Sequence, residues 1–250
     1  MRSVKDGRSR TRRVCALALA LTSLLATACD VHVVGDSTAY QVGDVVEQFD
    51  GSHNAHLGCG FTDVPAGTYR VLPNGAGAYE PCTIPFGDMT GIDNDDYVVA
   101  FVSIHDAFCE APVQNPTPAQ VDCSFQTDGY VAAQAAWDAA GVDVIWVQLP
   151  PYQPGPTGDP HPYAAEMNSR IPWFNLAVQI ELGCDLVPSN LRTDPHPDHG
   201  QLFLEGLHYY DDGALAEALG LPPEASQGSF NAAAVVAARV ADLDPADHAC

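Results

Sequence analysis

The first clear pattern along the chain is a short β-branched run, Val31-His32-Val33-Val34, closed by Gly35. Asp36-Ser37-Thr38 follows, a group that favours helix starts, and a helical stretch is expected through Val46. Two further runs, 97–102 and 142–149, are almost continuously β-branched and aromatic, as in strands covered on both faces. Between them, 130–140 reads as a helix with Gly141 as its stop, and later 163–182 reads as a helix interrupted at Pro172 and ended by Gly183. A short strand is expected around 185–187, then helices over 212–219 and 231–243. Strands separated by helices predict an α/β fold with a mostly parallel central sheet between two helical layers, a three-layer α/β/α sandwich. Trp146, Trp173 and Phe174 are expected in its core. No repeat, linker or second apolar unit is seen, so 30–250 reads as one domain.

Two loops stand out. The segment 150–162 carries six prolines just beyond a predicted strand's carboxyl end, where ligands bind in open parallel sheets; it is a wall or lid of a site, or a rigid connector. The second, 192–200, holds Asp194-Pro195-His196-Pro197-Asp198-His199. Its prolines keep the run extended and hinder convergence of the side chains on one ion, so it reads as a solvated loop and no metal is expected.

Charge narrows the partners. The 250 residues carry 32 acids against 10 bases, net −22. Six of the bases lie in the first thirteen residues, so from Asp30 onward four arginines face the 31 acids other than Asp6, a net charge of −27 without one lysine. Nucleic-acid affinity is built on several Lys/Arg contacts to phosphate, so a nucleic-acid partner is excluded and anionic lipid surfaces are disfavoured. The basic block precedes an apolar stretch, 14–28, too short to span a membrane and ending in Ala26-Thr27-Ala28. Residues 1–28 therefore read as an export signal. The next residue is Cys29, so 25–29 also resembles a lipobox, in which Cys29 would be acylated and form the only membrane anchor. The expected location is extracytoplasmic, secreted or as a cell-surface lipoprotein.

Leaving aside Cys15 in the signal and Cys29, the cysteines are Cys59, Cys82, Cys109, Cys123, Cys184 and Cys250. An even set in an exported chain is expected to form disulfides. The sequence alone does not choose a connectivity; pairing neighbours gives Cys59–Cys82, Cys109–Cys123 and Cys184–Cys250.

The chemistry concentrates at two places. Ser37 in Gly35-Asp36-Ser37 follows the first strand and opens a helix, where the dipole favours a developing oxyanion. A serine nucleophile needs a base and the base an orienting acid. Glu205-Gly206-Leu207-His208, with Gly213 five residues on, supplies both near the other end.

These two blocks, in this order, resemble the SGNH/GDSL hydrolases, whose late motif reads D-G-x-H-x-x-x-x-G; residues 205–213 match it except that Glu205 stands for the Asp. The resemblance covers essentially the whole mature chain, and no rival G-x-S-x-G elbow occurs. It implies a flavodoxin-like three-layer fold and ester hydrolysis, with Ser37 as nucleophile, His208 as base and Glu205 as its orienting acid. Asp211 or Asp212 is the alternative acid. The family's oxyanion hole is implied at the N–H of Ser37, at Gly58 or Gly60 within 57–61, and at the position of the family's asparagine, which is His105 here. An imidazole N–H can donate in its place, but a lost donor costs roughly 100-fold in rate. The expected substrate is a small-molecule or carbohydrate ester, hydrolysed without cofactor by a monomer. The alternatives are a surface binding protein that keeps the fold without activity, and an acyltransferase using the same residues.

Overall fold

The structure is a computed structural model and describes residues 31–47, 51–75, 77–87, 92, 96–152, 162–188, 236–237, 239–240 and 243–250. The elements are β1 (Val31–Gly35), α1 (Ser37–Glu47), β2 (Ser52–Ala55), β3 (Cys59–Gly60), β4 (Tyr69–Val71), β5 (Ala78–Tyr79), β6 (Cys82–Thr83), β7 (Tyr97–Phe101), β8 (Cys109–Ala111), α2 (Asp128–Ala140), β9 (Asp143–Val147) and α3 (Ala164–Leu182). A parallel sheet in the order β2-β1-β7-β9 forms the centre, and Val187 extends it by a parallel bridge to Val147.

The near-continuous apolar strands have the predicted cause. In register, Val33, Val99 and Ile145 point to one face of the sheet, and Val34, Ala100 and Trp146 to the other. The first face packs on Ala39, Val42 and Val46 of α1 and on Val236, Ala237 and Val240; the second packs on Tyr130 and Trp137 of α2 and Phe174 of α3. Both faces are covered, so alternation of polar and apolar residues is absent. The class is mixed α/β with a parallel central sheet, as the pattern predicts.

Two expectations need correction. Helix α3 runs unbroken through Pro172, because Met167, Ile171, Phe174 and Val178 bury one continuous face on either side of it. That packing outweighs the one hydrogen bond the proline removes. Trp173 is not core: it is 65 % exposed, turned about 100° round the helix from the buried Phe174. Gly141 and Gly183 end α2 and α3 in left-handed geometry, as expected of C-terminal stops. The predicted helix over 212–219 and most of 231–243 lie outside the described residues.

Around the parallel sheet sit a two-stranded pair, β3 with β6, and a three-stranded antiparallel sheet, β5-β4-β8. All three neighbour pairings of cysteines are realised: Cys59–Cys82, Cys109–Cys123 and Cys184–Cys250. The first joins register partners of β3 and β6. Such bonds form and persist in an oxidising, extracytoplasmic environment. Among the described residues no helix is long and apolar enough to cross a membrane.

Candidate functional site

The site is built from the turn after β1. Gly35 has φ +154, and a Cβ there would lie 2.6 Å from the Cβ of Ala39 and 3.0 Å from that of Phe101, so a side chain would not fit where the strand meets its helix. Asp36 is fully buried. Its Oδ1 accepts from the Thr38 N–H (3.0 Å) and hydroxyl (2.8 Å), capping α1, and its Oδ2 accepts from the N–H of Ile104 (3.0 Å). One carboxylate thus ties the β1–α1 turn to the segment leaving β7. Ser37, 6 % exposed, is the first residue of α1, at the positive end of the helix dipole.

The loop leaving β2 arrives beside this turn. β2 pairs with β1 up to Gly35↔Ala55, and the His56 N–H donates to the Gly35 carbonyl at 2.9 Å. Gly58 follows in a left-handed turn with φ +78, and among the described residues nothing lies within 4 Å of where its Cβ would be. Gly60 is enclosed instead. A Cβ on it would come within 2.2 Å of Asp106 Oδ1, and its carbonyl accepts from the N–H of Ile84.

His105 leaves the carboxyl end of β7 on the other side of β1 and is half-buried. Its N–H donates to Ser103 Oγ (3.1 Å), and that hydroxyl donates to the Cys59 carbonyl (3.0 Å), so the β7 loop is fastened to the glycine segment. Its Nδ1 lies 2.5 Å from the Tyr79 hydroxyl, and its ring meets Tyr79 and Phe108 edge-on. Arg170 of α3 donates from Nε to the Ala107 carbonyl at 3.0 Å, holding the far end of the same turn.

Beneath these loops lies a polar hub that sequence reasoning missed. Asp106, fully buried, accepts from Thr62 N–H (3.3 Å) and Arg70 Nη2 (2.7 Å) on Oδ1, and from Phe61 N–H (2.7 Å) and the Tyr130 hydroxyl (2.9 Å) on Oδ2. Burial pushes its pKa up, while Arg70, the Phe61 N–H, the Tyr130 hydroxyl and the Thr62 N–H oppose the rise. Four donors occupy the lone pairs of both oxygens, which leaves no place for a proton and keeps it a carboxylate. The Tyr130 hydroxyl also accepts from the N–H of Ser103 at 3.2 Å. One signal was available in the sequence: Arg70 is one of four bases in a strongly acidic body, so a buried acid partner was to be expected.

The structure therefore brings Ser37, the Gly58–Gly60 segment and His105 to the carboxyl ends of three adjacent strands. Glu205, His208, Cys29, Asp211, Asp212 and the run 194–199 lie outside the described residues. At the same edge, Leu149–Tyr152 opens the proline-rich loop. Asn175 bonds both the N–H and the carbonyl of Leu149, and Asn168 does the same for Tyr152.

One group of metal-ligand type occurs elsewhere among the described residues. His53 lies between Glu47, 3.0 Å from its Nδ1, and Asp44, 3.8 Å from its Nε2. The carboxylates flank opposite nitrogens of one imidazole, which suits two separate side-chain contacts to the ring better than ligation of a single ion.

No protein-family model matches the chain, and no curated protein matches it.

Proposed function

We propose that this chain is an extracytoplasmic serine esterase of the SGNH type, acting on short acyl or acetylated carbohydrate esters through an acyl-serine intermediate. The observation that carries the reading is the convergence of Ser37, the segment from Gly58 to Gly60 and His105 at one sheet edge, tied together by the Asp36 carboxylate and the Ser103 hydroxyl. The Ser37 hydroxyl attacks the acyl carbon while His208 takes its proton, with Glu205 orienting the imidazole. The oxyanion is met by the Ser37 N–H at the helix start, a glycine N–H and an imidazole N–H of His105. Gly58 suits the glycine role better than Gly60, because among the described residues nothing crowds it whereas Gly60 is packed on Asp106. The tetrahedral intermediate collapses, the alcohol leaves with the proton from His208, and water then releases the acid from Ser37 by the same steps. The acidic body favours an uncharged substrate. In this reading residues 1–28 direct export and acylated Cys29 is the only membrane anchor.

Hydrolysis of p-nitrophenyl acetate tests the reading. Purified protein is expected to release p-nitrophenol above the buffer rate, and Ser37→Ala and His208→Ala to reduce that release by at least about 1000-fold, the scale on which triad members matter. Equal rates for wild type and Ser37→Ala would leave the fold as a binding scaffold. Products formed in the presence of an acceptor sugar separate hydrolysis from acyl transfer.

A further inference from the structure

We propose that Tyr79 is a positioning residue that holds His105 in the tautomer protonated on Nε2, and so equips it as an oxyanion donor. The inference rests on the esterase reading for its catalytic consequence and on geometry for the tautomer.

His105 stands where the resemblance implies an asparagine. An asparagine presents an NH₂ group and is always a donor, whereas a neutral imidazole has one N–H, on either nitrogen. Which nitrogen carries the proton is set by what the other one meets. Here Nδ1 meets the Tyr79 hydroxyl at 2.5 Å. One proton lies between the two atoms, and Tyr79 supplies it. A phenol hydroxyl is a stronger donor than an imidazole N–H, and an imidazole nitrogen is a stronger acceptor than a phenol oxygen, so across this short contact the hydroxyl donates to Nδ1. The phenol also keeps that proton at any physiological pH: burial pushes its pKa well up, Asp106 and Asp36 add to the rise, and Arg70 opposes it only in part. With Nδ1 accepting, the ring proton belongs on Nε2, the end of the ring away from β5.

The surroundings hold this pair in place. Tyr79 sits on β5, paired through Arg70↔Tyr79 to β4, and Arg70 is clamped by Asp106, the residue after His105 in sequence. Phe108 packs edge-on against both rings, closing the third side. The small antiparallel sheet outside the parallel core thereby gains a chemical role.

The test has two independent readouts. In protein labelled with ¹⁵N-ring histidine at neutral pH, with His105 assigned by its loss in His105→Gln, long-range ¹H–¹⁵N correlation is expected to show Nδ1 unprotonated and Nε2 protonated. Tyr79→Phe, with an unchanged circular dichroism spectrum, is expected to shift His105 toward a mixture of tautomers. For p-nitrophenyl acetate, Tyr79→Phe is expected to lower kcat about tenfold with little change in KM, a part of the roughly 100-fold expected for removing the donor in His105→Ala. In the His105→Ala background, Tyr79→Phe is expected to cost nothing more, because the two act as one unit. A wild-type His105 protonated on Nδ1, an unchanged tautomer in Tyr79→Phe, or additive losses in the double variant would each overturn the proposal. Wild-type protein with the expected tautomer but without esterase activity would overturn the esterase reading and the oxyanion role, and leave the Tyr79–His105 coupling standing.

Discussion

Replacing Asp106 by Asn removes a charge that four donors share, and the structure sets the scale of the loss. The asparagine keeps one oxygen and turns an NH₂ toward two of the donors that a carboxylate accepted, whichever way the amide is flipped. Arg70, 1 % exposed, is left in the interior without the negative charge of its 2.7 Å partner. Breaking a buried pair by removing one partner costs about 3–5 kcal/mol. Glu110, 3.6 Å from Arg70 Nη1, takes up part of the orphaned charge, so the lower end, about 3 kcal/mol, is expected. Against a total of about 5–15 kcal/mol for a domain, that is a large share. The assay is urea unfolding at pH 7 with disulfides intact, followed by circular dichroism. With a slope of about 2 kcal/mol per molar urea, the midpoint should fall by about 1.5 M. Arg70→Met in the same chain removes the stranded guanidinium, so the double variant should recover at least about 1 kcal/mol of what Asp106→Asn loses. A midpoint for Asp106→Asn within about 0.3 M of wild type, or a double variant less stable than the single, would refute the view of Asp106 as the ionised centre of this hub.

Three further outcomes follow from neighbouring contacts. Asp36→Ala removes the cap of α1, worth about 1 kcal/mol, and strands the buried Ile104 N–H at a further cost of about 1–3 kcal/mol; a urea titration showing under about 1 kcal/mol in total would contradict that double role. Gly60→Ala drives a Cβ against Asp106 and should cost more than about 2 kcal/mol, whereas Gly58→Ala meets nothing among the described residues and should cost only the left-handed penalty of about 1–2 kcal/mol; thermal melts of the two variants should rank in that order. Among the disulfides, the closed loops differ in length, with sequence separations of 14 for Cys109–Cys123 and 66 for Cys184–Cys250. Paired Cys→Ala replacement should therefore cost about 3 and about 4 kcal/mol respectively on chain entropy, a ranking read from urea midpoints.

The parts of the fold legible in the sequence are those decided by local pattern. β1, β7 and β9 announce themselves as unbroken apolar runs because both sheet faces are covered, and α2 by a helical pattern with a terminal glycine. β2 was invisible. Ser52-His53-Asn54-Ala55 has no strand signature and pairs because β1 presents a free edge, with His32 bonding Ser52 across the strands at 2.7 Å. Trp173 shows the limit of residue type as a guide to burial, since α3 is apolar on both sides and only packing decides which side faces inward. Ser37 was legible because strand, turn and helix start are consecutive in sequence. Asp106 was not, because its four donors come from 61–62, 70 and 130, and only the tertiary fold brings them together. Tyr79 was missed for the same reason. The disulfides were legible because pairing neighbours happened to coincide with what the sheets bring close, as at the register pair of β3 and β6.

The proposed reaction depends on Ser37 as an activated nucleophile. Its most direct test is incubation of the purified chain with a fluorophosphonate ester, followed by intact-mass and peptide mass spectrometry. A single adduct is expected on the peptide carrying Ser37, absent in Ser37→Ala and strongly slowed in His208→Ala. An unlabelled Ser37 under conditions that label a known serine esterase to completion, or an adduct that persists in Ser37→Ala, would contradict it.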